Sequence, residues 1–322
     1  MIDSRLLTPT KTNIVKAAEI LLSGNLVAFP TETVYGLGAS ATHEKGISRI
    51  YQVKGRPIDH PLIVHISSIS KLQIWAKEIP NYALELANKF WPGPMTLILR
   101  RTDVAKDFIT GAQDTVGLRI PNNEIALGLL HQFENIGGLG IAAPSANRFG
   151  AVSPTSASHV IAELANHFIS SDLVIDGGDS KIGIESTIID CTLKSPKILR
   201  PGALTSEEIN TITNLKLSNN SLRNETKFSG SFDLHYSPKA RVFLNIEPKP
   251  SDGFIALNKF DTPKGVIRLS SPIHNEEFAA QLYASLRHGD ELNLSRIVVF
   301  TPDEIGIGVA INDRLRKASE KL

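Results

Sequence analysis

Leu26-Val27-Ala28-Phe29-Pro30-Thr31-Glu32-Thr33-Val34-Tyr35-Gly36-Leu37-Gly38 joins an apolar run to a block of hydroxyls, a carboxylate and two glycines. The run Leu26 to Phe29 predicts a buried strand. Hydroxyls and bare backbone amides then stand at its carboxyl end, where open α/β sheets bind ligands. Three further blocks share this mixture: Lys54-Gly55-Arg56-Pro57, Pro144-Ser145-Ala146-Asn147 and Gly183-Ile184-Glu185-Ser186-Thr187.

Outward from that stretch, helical spacing of apolar residues predicts helices over 12–23, 43–53, 82–90, 123–132 and 156–168. Short apolar runs predict strands over 62–66, 96–99, 116–120, 173–175, 187–190 and 198–200. Strands and helices intermingle without a strict repeat, which predicts an α/β domain with a twisted mixed sheet. From about Thr213 to Ser237 the chain turns to Asn, Ser, Lys, Thr and Gly and reads as a linker. Beyond it, strands at 241–246, 254–257, 265–269 and 296–300 with a helix at 276–287 predict a small Rossmann-like α/β domain. The expected organisation is a catalytic domain over 1–212, a linker or lid over 213–238 and a C-terminal domain over 239–322.

The 322 residues carry a net charge of +1, so no global field favours nucleic acid and any anion site must be built locally. One cysteine, Cys191, excludes an internal disulfide and a multi-cysteine metal site, as in a reducing cytosol. The N-terminus lacks a basic region followed by an apolar core, and no run reaches about 18 apolar residues, so a cytoplasmic protein without a membrane span is expected. The sequence contains no Gly-x-x-x-x-Gly-Lys-Ser/Thr loop and no Gly-x-Ser-x-Gly elbow. Gly138-Leu139-Gly140-Ile141-Ala142-Ala143 matches a relaxed dinucleotide fingerprint, but Pro144 and the want of a preceding strand argue against a Rossmann crossover there.

Lys54 and Arg56 stand two residues apart and share one side of an extended segment, an arrangement suited to a polyphosphate. The competing reading is a solvated basic turn, whose loss would cost little stability. Ser145 and Asn147 repeat the two-residue spacing and offer neutral donors and acceptors for orienting a ligand; a local turn is the alternative. Arg119 and Arg200 lie in apolar strands, where an arginine needs an anion, either a ligand or a carboxylate of the protein. His60 and His65 fall on opposite sides of a strand and cannot easily share an ion.

Taken together, the blocks Pro-Thr-Glu-Thr-Val-Tyr-Gly-Leu-Gly-Ala, Lys-Gly-Arg-Pro with Pro61-Leu62-Ile63-Val64-His65, Trp91-Pro92-Gly93-Pro94, Ser-Ala-Asn, Gly-x-Glu-Ser-Thr and Leu199-Arg200-Pro201-Gly202 occur in the order of a known family. The chain resembles the threonylcarbamoyl-AMP synthases of YrdC/YciO type, strongly over 12–204. It does so more weakly through His235-Tyr236-Ser237-Pro238 and 306–314.

The resemblance implies an ATP-dependent nucleotidyltransferase. It joins L-threonine, bicarbonate and ATP, with Mg²⁺, into threonylcarbamoyl-adenylate and pyrophosphate for the N6-threonylcarbamoyladenosine of tRNA. Lys54 and Arg56 are then the catalytic cations on ATP phosphates or reacting carboxylates. Threonine falls to Thr31 (with Thr33 a close rival), His65, Arg119, Ala143 and Ser186. ATP falls to Lys54, Ile58, Thr115, Ser145, Asn147, Ser153, Arg200 and Tyr236, with the linker folding over the nucleotide. Thr31 and Ser186 retain turn caps as their ordinary alternative, and His65 a hydrogen-bonded core histidine. The resemblance assigns no metal to protein side chains. It passes the product to a tRNA threonylcarbamoyl transferase and leaves direct tRNA contact open. A non-catalytic RNA-binding module of the same fold is the alternative function, and carbamoyl transfer within a larger enzyme a weaker third; net charge +1 and few aromatics disfavour RNA binding.

Overall fold

The protein is described by a computed structural model covering residues 3–218, 228 and 236–319. The quoted stretch opens as strand and then doubles back. Val27–Phe29 is fully buried and pairs antiparallel with Gly36–Ser40, so the glycine-rich run that follows the hydroxyls is itself a strand. A Cβ on Gly38 would meet Ile141 and Phe29 at 2.8 Å, which explains the glycine: two neighbours close over it.

In chain order the first sheet contains β1 (Leu6–Leu7), β2 (Val27–Phe29), β3 (Gly36–Ser40), β4 (Ile63–His65), β5 (Ala76–Lys77), β6 (Met95–Arg101), β7 (Thr115–Arg119), β8 (Ile141–Ala142), β9 (Leu173–Ile175), β10 (Thr187–Asp190) and β11 (Lys197–Arg200). Across the sheet they run β1-β9-β2-β3-β8-β4-β7-β6-β10-β11, with β5 on the end of β6. Pairing is parallel at β4/β7 and β6/β10 and antiparallel at β2/β3, β6/β7 and β10/β11, the mixed sheet expected. The dinucleotide-like run forms the short β8, antiparallel to β3 and β4, which excludes a Rossmann crossover there.

Helices lie where the apolar spacing put them. Lys11–Leu22 is capped by Thr10 and buries Ala17, Ala18 and Leu21; Glu124–Asn135 is capped by Asn123 and buries Leu129, Leu130 and Phe133. Glu44–Lys54 ends on Gly55 in the left-handed region (φ 62°), a residue without a Cβ turning the chain so that Arg56 follows directly. Helix Ser206–Thr213 has a full capping box between Thr205 and Glu208 and packs on helix Asn81–Phe90. It was not foreseen, because its eight residues sit among polar neighbours.

The second sheet contains β12 (Arg241–Leu244), β13 (Gly253–Ile255), β14 (Ile267–Ser270) and β15 (Arg296–Val299), all parallel in the order β12-β15-β13-β14. Helices Asn275–Glu291 and Gly308–Ser319 accompany it. This is the parallel α/β arrangement expected of the C-terminal part. Its apolar core does not stop at its own edge: Val34, Val152 and Ile184 from the first part pack with Tyr236, Phe278, Tyr283 and Leu282. Gly183, at φ 79°, allows this, since a Cβ there would come within 2.4 Å of the Ala279 carbonyl oxygen. Most of the expected linker, 219–227 and 229–235, with His235, lies outside the described residues.

Candidate active site

A cleft opens where the ends of β2, β4 and β7 meet the starts of β3 and β10 and the end of β11. It is lined by Thr31, Val34, Tyr35, Gly36, Arg56, Ile63, His65, Arg119, Ala143, Pro144, Ser145, Glu185, Ser186, Arg200 and Tyr236. Nine of the fourteen residues expected at the site therefore share one concavity: Thr31, Arg56, His65, Arg119, Ala143, Ser145, Ser186, Arg200 and Tyr236.

Three arginines converge there, each at least 94% buried. Burial first, with the Arg200 charge a smaller contribution, brings the pKa of Arg56 down to about 10, still a cation at neutral pH, while Nη2 donates to the Pro61 carbonyl at 3.0 Å. Arg200 donates from Nε and Nη2 to the Ser186 carbonyl at 3.1 and 2.9 Å, and from Nη2 to Ser186 Oγ at 3.1 Å. Burial lowers its pKa as well. Arg119 donates to Thr33 Oγ1 at 2.8 Å, and its Nη2 lies 2.7 Å from Glu32 Oε1. Its Nε and the Glu32 Oε2 have no hydrogen-bond partner, an unfinished set of polar groups in a dry place. Positive charge concentrated under low dielectric attracts an anion far more strongly than the same charge in water.

Around the arginines the uncharged groups are fixed. Thr31 Oγ1 donates to the Val34 carbonyl at 2.6 Å and accepts from the Thr33 and Val34 amides, so the turn alternative and the site coincide in one residue. Thr33, its rival, stands 2.9 Å away and holds Arg119. Ser186 Oγ also meets Thr96 Oγ1 at 2.8 Å. His65 is driven down to about 3 by burial first and by the Arg119 charge second, so it is a neutral imidazole; its Nδ1 has no partner. His60 packs against Phe149 and His65 against Phe29, which separates the two histidines.

Five expected residues lie elsewhere. Lys54, the last residue of its helix, is 2% exposed and donates from Nζ to the Ser145 and Asn147 carbonyls at 2.6 and 2.5 Å. It thus shapes the Pro144-Ser145-Ala146-Asn147 turn from behind. Burial, then Arg56, pushes its pKa well down. The expectation of a cheap surface turn is corrected on this point, because Lys54 and Arg56 are both buried. Asn147 donates to the Arg148 and Ala151 carbonyls, holding the same turn from its other side. Ser153 donates to Glu185 Oε1 at 2.6 Å. Ile58 is 76% exposed on a neighbouring groove, and Thr115 begins β7 at the end opposite Arg119.

Glu32 and Glu185 were missed as site members although both stand inside the quoted blocks. Glu185 feels the burial penalty most, yet the charges of Arg314 and Arg200 and two hydrogen bonds outweigh it and hold its carboxyl at about 2. Tyr236 adopts φ 65°, stacks on Tyr283 at 5.7 Å and closes one wall, so the end of the expected lid reaches the cleft. Among the described residues no group of three His, Cys, Asp or Glu side chains is placed to hold a metal ion, and no helix is long and apolar enough to cross a membrane.

Comparison with known proteins adds the following. Residues 19–202 match the Sua5/YciO/YrdC family profile, described as "Telomere recombination", and residues 204–320 match the profile "Threonylcarbamoyl-AMP synthase, C-terminal domain". A threonylcarbamoyl-AMP synthase of Pyrococcus abyssi is 42% identical over 94% of this chain and 93% of its own length; that of Bacillus subtilis is 36% identical over 97% and 94%. The crystal structure of the Pyrococcus abyssi protein Sua5 complexed with L-threonine superimposes with a TM-score of 0.86 at 39% identity, covering 98% of this chain and 97% of that one.

Proposed function

The chain belongs to the Sua5/YciO/YrdC family and carries threonylcarbamoyl-AMP synthase activity, and from that premise we propose how the cleft performs the reaction. Threonine binds with its carboxylate on Arg119, whose free Nε and anchored Nη2 leave one edge of the guanidinium for a ligand. The neutral His65 and the Thr31 turn flank it and provide for its side-chain hydroxyl. The amino group takes up bicarbonate to give a carbamate with loss of water. The carbamate oxygen then attacks the α-phosphorus of ATP, forming the mixed anhydride as pyrophosphate leaves.

Arg56 and Arg200 face the triphosphate, and Mg²⁺ bound to the nucleotide would share its charge with them and make pyrophosphate a better leaving group. Ser145, on a turn held by Lys54 and Asn147, orients the nucleotide, and Tyr236 covers it. No covalent nucleophile is required: two anions are held together and the charge on the leaving group is stabilised by groups already in place. The downstream acceptor is a tRNA threonylcarbamoyl transferase.

The observation that supports this reading above the others is the convergence of Arg56, Arg119 and Arg200, all buried, on one cleft that also contains the Thr31 and Ser186 hydroxyls. A platform for RNA would present its cations on the surface, where phosphates can reach them. Pyrophosphate release from ATP, measured with threonine and bicarbonate each left out in turn, tests the proposal. Release must vanish without either one, and release indifferent to both would refute it.

A further inference from the structure

The second α/β unit sends two side chains to the back of the cleft. Arg314, on helix Gly308–Ser319, is 1% exposed and donates from Nε to Glu185 Oε2 at 2.8 Å and from Nη2 to the Pro201 carbonyl at 3.0 Å. Its Nη1 faces Asp313, and its Cζ lies 5.1 Å from the centroid of the Tyr236 ring. Tyr283, on helix Asn275–Glu291, brings its hydroxyl to 3.0 Å from the same carboxylate oxygen.

These contacts bracket the site in sequence. Glu185 precedes Ser186, Pro201 follows Arg200, and Arg200 is hydrogen-bonded to the Ser186 carbonyl and hydroxyl. One guanidinium therefore clasps both ends of the Ser186–Arg200 pair, where β10 begins and β11 ends. The fork geometry matters, because a planar arginine satisfies a carboxylate and a carbonyl in fixed directions while a lysine offers a point charge.

We propose that Arg314 and Tyr283 are positioning residues for the synthase reaction: the second unit fixes Glu185 and Pro201, which set Ser186 and Arg200 against the nucleotide. The proposal rests on the synthase reading. Arg119 and His65, which face the threonine, end β7 and β4, whereas the hydrogen bonds of Arg314 and Tyr283 run to Glu185 and Pro201. Ser186 goes with the nucleotide through its bond to Arg200 rather than with threonine, so the defect belongs to the nucleotide half of the reaction.

The test compares full-length wild type with Arg314→Lys, Tyr283→Phe and Val298→Ala. Val298 is buried with Phe254 and Ala256 in a separate cluster of the second unit and serves as a destabilised control. Steady-state kinetics are taken where thermal melts show every variant folded. Arg314→Lys is expected to lower kcat at least tenfold, since a misplacement of about 1 Å costs up to about 100-fold. Tyr283→Phe, which removes only a hydroxyl, lowers kcat three- to tenfold. In both variants the KM for threonine stays within threefold of wild type, and Val298→Ala keeps kcat within twofold. If Arg314→Lys and Tyr283→Phe merely follow Val298→Ala, the contacts are structural and the proposal is wrong. An inactive wild type would instead overturn the synthase reading and this proposal with it.

Discussion

Replacing Arg119 by leucine separates the roles of this side chain in folding and in binding. Arg119 is 5% exposed, with Nη2 at 2.7 Å from the equally buried Glu32 carboxylate and at 2.8 Å from Thr33 Oγ1. Removing one partner of a buried ion pair leaves the other uncompensated, at a cost of about 3 to 5 kcal/mol. Arg119→Leu should therefore lose that much in urea denaturation. Adding Glu32→Gln removes the stranded charge, and the double variant should recover more than half of the loss. Threonine affinity behaves differently. A hydrogen-bonded charged contact is worth about 1.5 to 3 kcal/mol, so calorimetric titration with L-threonine should show binding about 10- to 150-fold weaker in the single and the double variant alike. Affinity that returns together with stability would mean that Arg119 only shapes the cleft, and unchanged affinity in both would remove it from the threonine site.

Serine should be a poorer substrate than threonine by about 10- to 200-fold in kcat/KM, the worth of one methyl against an apolar wall, and valine poorer still if the Thr31 turn binds the hydroxyl; equal constants for the three would refute the pocket. Acid should unfold the protein partly through His65. Its folded pKa of about 3 lies below its unfolded value near 6.5, so the unfolded chain binds the extra proton and stability falls by about 1.4 kcal/mol per pH unit below pH 6.5. His65→Gln should flatten that slope between pH 6 and 5, as read by denaturant melts, and an unchanged slope would place the titration elsewhere. Proteolysis between Asn219 and Leu234 should be suppressed by ATP with threonine if the segment entering Tyr236 closes over the nucleotide, whereas cutting indifferent to both ligands would make it a tether.

What could be read in the sequence was set by local pattern. The strands Val27–Phe29 and Thr187–Asp190 and the helix Glu44–Lys54 follow from apolar spacing. The strand Gly36–Ser40 did not, because its Gly38 is required by close packing of Phe29 and Ile141, which only the folded sheet brings there. Helix Gly308–Ser319 was recognisable only as a stretch shared with a family, and its Arg314 reaches Glu185 across 129 positions of chain. The site shows the same division. Arg119 and Arg200 stood out as cations in apolar strands; Arg119 has both the Glu32 carboxylate and a place on the cleft, so its two alternatives were never exclusive, and Arg200 is held on the cleft by the Ser186 carbonyl and hydroxyl. Lys54 was seen as a cation beside a turn. That its ammonium would be buried under two carbonyls, supporting Ser145 rather than facing the cleft, depends on contacts more than ninety residues distant.

If one cleft joins the carbamate of threonine to the α-phosphate of ATP, the released nucleotide must contain both halves. The most direct measurement supplies purified wild-type protein with ¹³C-bicarbonate, L-threonine and Mg·ATP and analyses the nucleotides at once by mass spectrometry. The expected product is an adenylate heavier than AMP by a threonylcarbamoyl group containing the ¹³C label, formed in step with pyrophosphate and lost in Arg56→Ala. Unlabelled AMP, or ADP with inorganic phosphate in place of pyrophosphate, would contradict it.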